Sequence, residues 1–489
     1  MWGIHWWRQQ QTQRKRWCST AANTGAGPND GNKELLFLNL DLKGMKENQK
    51  QLAESIQHRK VEANIGEVVC LFDQTTKLQH QVRALRTRRN LVAKARGKSA
   101  AAVTEEEEEE AKQLRAELKG LEEELDAVER RLLSEAKRVP NYIHRDVPVG
   151  NSGSQQQEAK VLRHVGQKPQ FTAERPALDH LTLCTKLGLL DLEAGHRVSG
   201  NKKFCFLKGA GALLEMALIQ CALLHATRHG FTPFTVPELV RHAAAEGAGF
   251  QPRDPSPVNQ TYALKSSDHC LVATAEIPLA AYYLNCTLPV EKLPLKMVAF
   301  SHCFRTEAGS AGIRDKGLYR LHQFSKVEMF AIGTPDMSEQ LHEEMLAIEE
   351  EFFSLLGLPY RVLDMPAEEL GAPAVRKYDI EAWMPGRGDY GEISSTSNCT
   401  DFQSRRLNIR CQDRTPQSKK EFVHMVNGTA CAVPRTLLAI LENNQQEDGS
   451  VIVPQPLVPF MGGLSRLQPL PQEELWLPQQ QMGAWYHEK

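Results

Sequence analysis

The sequence predicts an α+β protein: an antiparallel sheet flanked by helices, preceded by an N-terminal antiparallel α-helical coiled-coil arm. Three observations lead there. Two successive stretches near the N-terminus carry apolar side chains in alternating steps of three and four, the spacing of a coiled-coil seam. Beyond residue 150, apolar and turn-rich stretches alternate with single helical patterns, including Met337 to Leu356, until about Gly463. Within that region Val298–Phe304 and Tyr319–Phe330 read as paired strands, with Ala308–Gly312 and Asp315–Gly317 supplying turn residues between them.

The chain has 489 residues, 41% of them hydrophobic, enough to bury a large core and to form more than one domain. A net charge of -1 offers no overall attraction to nucleic acid, so RNA binding would need a local basic surface. The leader supplies one asymmetry: Arg8, Arg14, Lys15 and Arg16 occur with several tryptophans and no carboxylate before Asp30. Residues 1–30 therefore read as a transit peptide with a mitochondrial-matrix address, against the alternative of a basic disordered tail. No later stretch reads as long and apolar enough to cross a bilayer, and no membrane partner is expected. The 11 cysteines lack any C-x-x-C pair, so neither a structural zinc site nor a disulfide framework is expected. His269-Cys270 and His302-Cys303 are adjacent on strands and should point to opposite faces.

The arm spans about residues 65–138. Its first seam is Val68, Leu71, Thr75, Leu78, Val82, Leu85, Arg89 and Val92; its second is Leu114, Leu118, Leu121, Leu125, Val128 and Leu132. A Gly97-Lys98-Ser99 break and an acidic run from Glu105 to Glu110 separate them, so the two helices can zip as a hairpin. Arg83, Arg86, Arg88, Arg89 and Lys94 fall in a stretch with no Asp or Glu between Gln74 and Thr104. That distribution suits phosphates; the alternative is a solvated face balanced by the glutamates of the second helix.

The helical pattern fades at Val139-Pro140, and Asn151–Gln155 reads as a linker. Residues 31–150 then form an N-terminal domain, 151–463 a second domain and 464–489 a tail. In the second domain an apolar helix near Leu213–His229 leads through Gly230 into a strand over Phe231–Pro237.

Four segments carry chemistry. In Phe304-Arg305-Thr306-Glu307, strand alternation would put Arg305 and Glu307 on one face, guanidinium for a phosphate and carboxylate for an amino group. Phe324 could stack on a flat base, and a buried Glu328 would need a polar partner. An ordinary surface pair is the bland alternative. Thr274-Ala275-Glu276 offers a hydroxyl and a carboxylate to an ammonium group, although a helix cap explains Thr-x-Glu equally well. Glu392-Ile393-Ser394-Ser395 suits a hard cation held against a triphosphate. Asn427-Gly428-Thr429 leads to Arg435 at the start of an apolar helix, where it could hold phosphate, and small residues there permit close backbone packing.

The string FRTEAGSAG…GLYRLHQFSKVE resembles motif 2 of the class II aminoacyl-tRNA synthetases, and its wording is similar to the seryl-tRNA synthetase branch. All four segments share that resemblance, from His180 to Gly463; Phe231–Pro237 looks like motif 1, the dimer element, and Asn427–Thr436 like motif 3. The resemblance implies a class II catalytic domain that forms seryl-adenylate and pyrophosphate from L-serine and ATP with Mg2+. It further implies transfer of serine to mitochondrial tRNA(Ser), with tRNA(Sec)-like acceptors as a second class, and a homodimer. Arg305 and Arg435 become the catalytic cations. Thr274, Ala275, Glu276, Arg305, Glu328, Asn427 and Thr429 would bind serine. ATP would contact Arg305, Thr306, Glu307, Leu321, His322, Gln323, Phe324, Glu392, Ile393, Ser394, Ser395 and Arg435, with Glu392 and Ser395 on Mg2+. The arm would bind tRNA. The alternative is a catalytically inactive synthetase-like RNA-binding or scaffold protein. Two departures stand out: Ile313–Lys316 displaces the basic residue of the hairpin tip, and Pro434 precedes Arg435.

Overall fold

A computed structural model describes residues 39–96, 104–150, 158–250, 261–307, 317–413, 415 and 418–471. The chain divides into two compact units, Leu40–Tyr142 and the remainder.

Among the described residues the smaller unit has four helices: α1 (Leu42–Glu47), α2 (Gln49–Arg59), α3 (Ile65–Arg96) and α4 (Glu105–Arg138). The last two coincide with the two seams. Val68, Leu71, Thr75, Leu78 and Val82 of α3 are buried with Leu114, Leu118 and Leu132 of α4, whereas Arg89, assigned to the seam by spacing, is exposed. Side chains pair across the helices as Glu67–Arg131, Gln79–Glu129, Arg86–Glu122 and Arg88–Glu110. The second number falls as the first rises, which fixes the pair as antiparallel. At its base Arg59, 2% exposed, donates to the Tyr142 carbonyl at 2.9 Å and to Ser55 at 3.2 Å.

The larger unit is built on eight strands: β1 (Lys160–Val165), β2 (Thr232–Thr235), β3 (Leu295–Phe304), β4 (Gln323–Gly333), β5 (Tyr360–Asp364), β6 (Arg376–Met384), β7 (Asp389–Thr400) and β8 (His424–Ala432). Their order is β1-β5-β6-β7-β8-β4-β3-β2. Every neighbouring pair is antiparallel except β2 with β3, which is parallel, so the sheet is mixed at one edge. Pro233 lies in that edge strand, where its missing N–H breaks no ladder on the open side. The strand follows Gly230, whose φ of 87° a side chain would resist.

Three helices cover one face of the sheet and a fourth starts at the other: α5 (Ala210–Arg228), α6 (Glu276–Ala281), α7 (Ser338–Leu355) and α8 (Val433–Asn443). Leu214 and Leu218 of α5, Phe352 of α7 and Leu438 of α8 share a core with Val327 and Met329 of β4. On the opposite face Ile277 and Leu279 of α6 pack with Met297, Ala299, Phe330 and Met425. Contrary to expectation, α5 is long and apolar enough to cross a membrane by length and composition. Its buried Leu214, Ala217, Leu218 and Ala222 account for that composition as core packing, while Leu213, Met216 and Leu224 stand exposed along its other side.

Strands β3 and β4 form the expected hairpin, closing at Phe304 opposite Gln323. Arg305, Thr306 and Glu307 run beyond the end of β3, and Glu307 has φ 48°. Strand alternation therefore does not place Arg305 and Glu307, because the ladder has already ended. The hairpin tip, residues 308–316, lies outside the described residues, as do Asn151–Gln155, the leader, residues 1–38, and the tail from residue 472.

Candidate active site

Each of the four segments ends at one place on the sheet, and different elements bring them there. Thr274 precedes α6, and its hydroxyl accepts the Glu276 N–H at 3.3 Å, so the cap-like reading of Thr-x-Glu holds for the backbone. Ala275 faces the core and contributes no side chain to the site. Glu276 opens α6, and its Oε1 accepts from Gln403 Nε2 at 2.6 Å and from Asn427 Nδ2 at 2.9 Å. Burial and the neighbouring Glu328 carboxylate push its carboxyl up to about 7, against the pull of Lys326, Gln403 and Arg305.

Arg305 is fixed by its backbone N–H, which donates to the His322 carbonyl at 2.9 Å, and by Nε, which donates to the Ala273 carbonyl at 3.4 Å. Its guanidinium carbon lies 5.1 Å from the centre of the Phe324 ring, a cation–π arrangement that steadies both groups. Glu307 pairs with Arg320 at 3.2 Å, and half-buried Thr306 lies between Arg305 and Glu307. Leu321 is buried and lines the same cavity as Arg305. The His322 ring does not: it stacks on Phe204 and meets the Tyr262 hydroxyl and Asn201. Gln323 is exposed and outside the lining. For these two, to which the resemblance gave nucleotide contacts, the side chains line neither cavity.

Along β4, period two sends Phe324, Lys326 and Glu328 to the site, while Val327 and Met329 enter the helix-side core. Glu328, 2% exposed, forms an ion pair with Lys326 and accepts from the Thr429 hydroxyl at 3.2 Å. Lys326 was not singled out from the sequence. Counting back two residues from Glu328 would have found it.

On β7, residues 392 and 395 are three apart, so strict alternation would send them to opposite faces. A bulge prevents this: Ser394 pairs with Ile380 and Glu392 with Glu381, leaving Ile393 extra. Glu392 and Ser395 line one cavity. Ile393 is buried in the core, and the Ser394 hydroxyl is spent on the Thr429 carbonyl at 2.6 Å. Ile393 therefore supports the strand, whereas Ser394 lines the same cavity as Glu392 and Ser395.

Asn427 and Thr429 reach the site from β8. Gly428, between them, faces the helices, where an added Cβ would lie 2.5 Å from both the Glu349 carboxylate and the Thr396 hydroxyl. Pro434 sits in the first turn of α8, and Arg435 follows it. Arg435 Nε donates to the Tyr319 carbonyl at 3.1 Å, and Nη1 meets a Glu392 carboxylate oxygen at 3.2 Å, with the Tyr319 ring centre 4.7 Å from its guanidinium. Burial pushes the Glu392 carboxyl up, but Arg435, Lys377 and Arg305 outweigh it and the net direction is down, so this carboxylate is ionised.

The result is two adjoining cavities that share Arg305, Lys326, Ser395 and Thr429. One holds Phe324, Glu392 and Arg435: an aromatic face, an oxygen-donor pair with Ser395, and two guanidiniums. The other holds Thr274, Glu276, Glu328 and Asn427, a set of carboxylates and hydrogen-bonding groups. Arg305 stands where they meet.

Comparison with known proteins shows what this geometry belongs to. The family model for the class II core domain of tRNA synthetases (G, H, P, S and T) matches residues 262–444, and that for the seryl-tRNA synthetase N-terminal domain matches residues 40–143. A serine–tRNA ligase of Rubrobacter xylanophilus is 45% identical over 427 residues, covering 86% of this chain and 98% of that protein. The chain belongs to the seryl-tRNA synthetase family. A serine–tRNA ligase of Dictyoglomus turgidum is 42% identical over 433 residues, 88% of this chain and 99% of its own. Among solved structures, the seryl-tRNA synthetase of Pyrococcus horikoshii complexed with ATP superposes with a TM-score of 0.75 at 34% identity, covering 88% of this chain and all of that one. The cytoplasmic serine–tRNA ligase of Naegleria fowleri in complex with AMP gives a TM-score of 0.71 at 29% identity, over 89% of this chain and 100% of that one.

Membership in the seryl-tRNA synthetase family makes sense of the arm as well as the sheet, since the N-terminal model covers α1 to α4. The basic arm face is divided. Arg86 and Arg88 pair with Glu122 and Glu110 at 2.7 Å each, as the solvated-face reading expects. Arg83, Arg89 and Lys94 are exposed.

Proposed function

We infer that the protein is a serine–tRNA ligase that condenses L-serine with ATP to seryl-adenylate and pyrophosphate, then transfers the seryl group to tRNA. The observation that carries this is the junction at Arg305: a guanidinium shared between a phosphate-type cavity and a carboxylate-lined one is placed to touch both the α-phosphate and the serine carboxylate. Attack of that carboxylate on the α-phosphorus builds negative charge on phosphoryl oxygens, which Arg305 and Arg435 stabilise. Phe324 stacks on adenine and Glu307 accepts from its amino group. Thr274, Glu276, Glu328, Asn427 and Thr429 hold the serine ammonium and hydroxyl; alanine would leave their buried polar atoms unpaired. Magnesium accompanies ATP, and the ionised Glu392 with the Ser395 hydroxyl provides oxygen donors of the kind a hard cation takes. The intact charged set at the site gives the inactive alternative no support. Measuring serine-dependent exchange of pyrophosphate into ATP across all amino acids tests the reading; silence with serine, or activity with another amino acid alone, would overturn it.

The arm binds tRNA through phosphates in this proposal. Substituting Arg83, Arg89 and Lys94 together with Ala is expected to lower kcat/KM for tRNA about tenfold or more and to flatten its salt dependence by roughly one log–log unit per residue. Pyrophosphate exchange should stay unchanged, and an equal loss in both assays would refute the division of labour. Arg86 and Arg88 are poorer probes, because replacing them also breaks pairs within the arm.

We place the protein in the mitochondrial matrix on the composition of residues 1–30, with tRNA(Ser) as acceptor and tRNA(Sec)-like acceptors as a second class. A reporter carrying those residues that stayed in the cytosol would remove the basis for that address. A homodimer is supported by the exposed Leu213, Met216 and Leu224 along α5. A solution mass of one 54.9 kDa chain would exclude it.

A further inference from the structure

One cluster of metal-type ligands lies outside both cavities. His225 is on α5 and His229 caps its C-terminus, one turn further on; Glu351 comes from α7. A nitrogen of each imidazole and a carboxylate oxygen of Glu351 lie within 4.8 Å of one another. We propose that His225, His229 and Glu351 form a binding site for a divalent transition-metal ion of the zinc type, clamping the end of α5 to α7.

Three features support the site. His-x-x-x-His places two imidazoles on one helical face, and the third ligand arrives from a separate packed helix, so the fold and not just one sequence segment assembles the set. The His225 ring is already oriented: Nε2 donates to the Ile348 carbonyl at 3.1 Å, which leaves the lone pair on the other nitrogen. The Phe352 ring, 5.6 Å from it, closes the apolar side. His229 Nε2 and Glu351 Oε2 meet at 3.2 Å. Tetrahedral zinc with bonds near 2.0–2.1 Å needs ligand atoms roughly 3.3 Å apart. The His229–Glu351 pair already has that spacing, and these two side chains, 31% and 53% exposed, have room to turn toward His225.

The charge balance fits as well. Two neutral imidazoles and one carboxylate offer a single negative charge, and a helix C-terminus favours a cation. Arg228, beside His225, is the opposing charge. Two nitrogen ligands select zinc, cobalt, nickel or copper over magnesium and calcium. The three ligands leave one position open to water.

The site stands apart from the proposed reaction and does not depend on it. The test uses the full chain without a histidine tag, titrated with Zn2+ and, separately, Co2+. Wild type should bind one equivalent, show a higher Tm with Zn2+, and give a Co2+ absorption spectrum of nitrogen and oxygen ligation without thiolate charge transfer. His229→Ala and Glu351→Gln, both on exposed side chains, should weaken binding by about 10–100-fold or more while leaving the metal-free Tm close to wild type. Failure of wild type to bind a stoichiometric ion, a thiolate spectrum, or unchanged affinity in both variants would each overturn the proposal.

Discussion

Arg305→Ala should lower serine-dependent pyrophosphate exchange by about 10²–10³-fold, the loss seen when one preorganised donor to a developing oxyanion is removed. The expectation rests on position. Arg305 lines both cavities, so its loss removes one group from the phosphate and the amino acid at once. Its side chain is held before any substrate arrives, by Ala273 and by the Phe324 face, so little reorganisation accompanies the reaction. The kcat should therefore fall along with kcat/KM. Arg305→Lys should recover little, because an ammonium cannot reproduce a planar fork that reaches two acceptors. The substitution should not unfold the protein: Arg305 lies past the end of β3 and belongs to neither core cluster. Exchange within threefold of wild type for Arg305→Ala, with an unaltered Tm, would remove Arg305 from the mechanism.

How much of this could be read from the sequence differs from one element to the next, for physical reasons. The arm was legible because a seam repeats: α3 and α4 each contain one of the two apolar seams, although α4 starts earlier, at Glu105, and takes in the acidic run. The β3–β4 hairpin was legible from its pattern and turn residues, and the four chemical segments do converge. Side-chain direction was less legible wherever the ladder is irregular. Glu392 and Ser395 share a cavity only because Ile393 is an extra residue in β7, and nothing in Glu-Ile-Ser-Ser announces a bulge. His322 and Gln323 looked like site residues because they sit between Leu321 and Phe324, yet His322 is claimed by Tyr262 and Phe204, which are remote in sequence. The parallel pairing of β2 with β3 has no local signal, since direction depends on where the intervening chain travels. His225 and His229 show their spacing in the sequence, but Glu351 joins them only once α5 and α7 pack. On the arm, coiled-coil register gave Arg86 and Arg88 glutamate partners, as the solvated-face reading expects, while Arg83 and Arg89 stand exposed.

Glu276 is expected to make serine binding depend on pH. Its carboxyl, buried and beside Glu328, is pushed up to about 7, far above the ordinary carboxylate range. In the free protein it is therefore largely protonated at pH 6 and largely ionised at pH 8. A serine ammonium needs the ionised form, so serine should expel the proton below pH 7, and its KM should fall by up to about tenfold per pH unit as pH rises toward 7, then level off. The stability term has the opposite trend. A group whose folded pKa lies above its unfolded one contributes stability that is complete below the unfolded value and is lost as pH rises through about 7, so the free protein should lose some Tm between pH 6 and 8, and serine should restore it. Glu276→Gln keeps the acceptor for Gln403 and Asn427 but never carries charge. It should raise the serine KM by about 10–100-fold at pH 8, the range for losing a charged hydrogen-bond partner, and its KM should be flat from pH 6 to 8. The KM for ATP should change little in either protein over that window. A Glu276→Gln variant that kept the wild-type slope of serine KM against pH would assign the titration to another group, and one with a wild-type KM would remove Glu276 from the serine pocket.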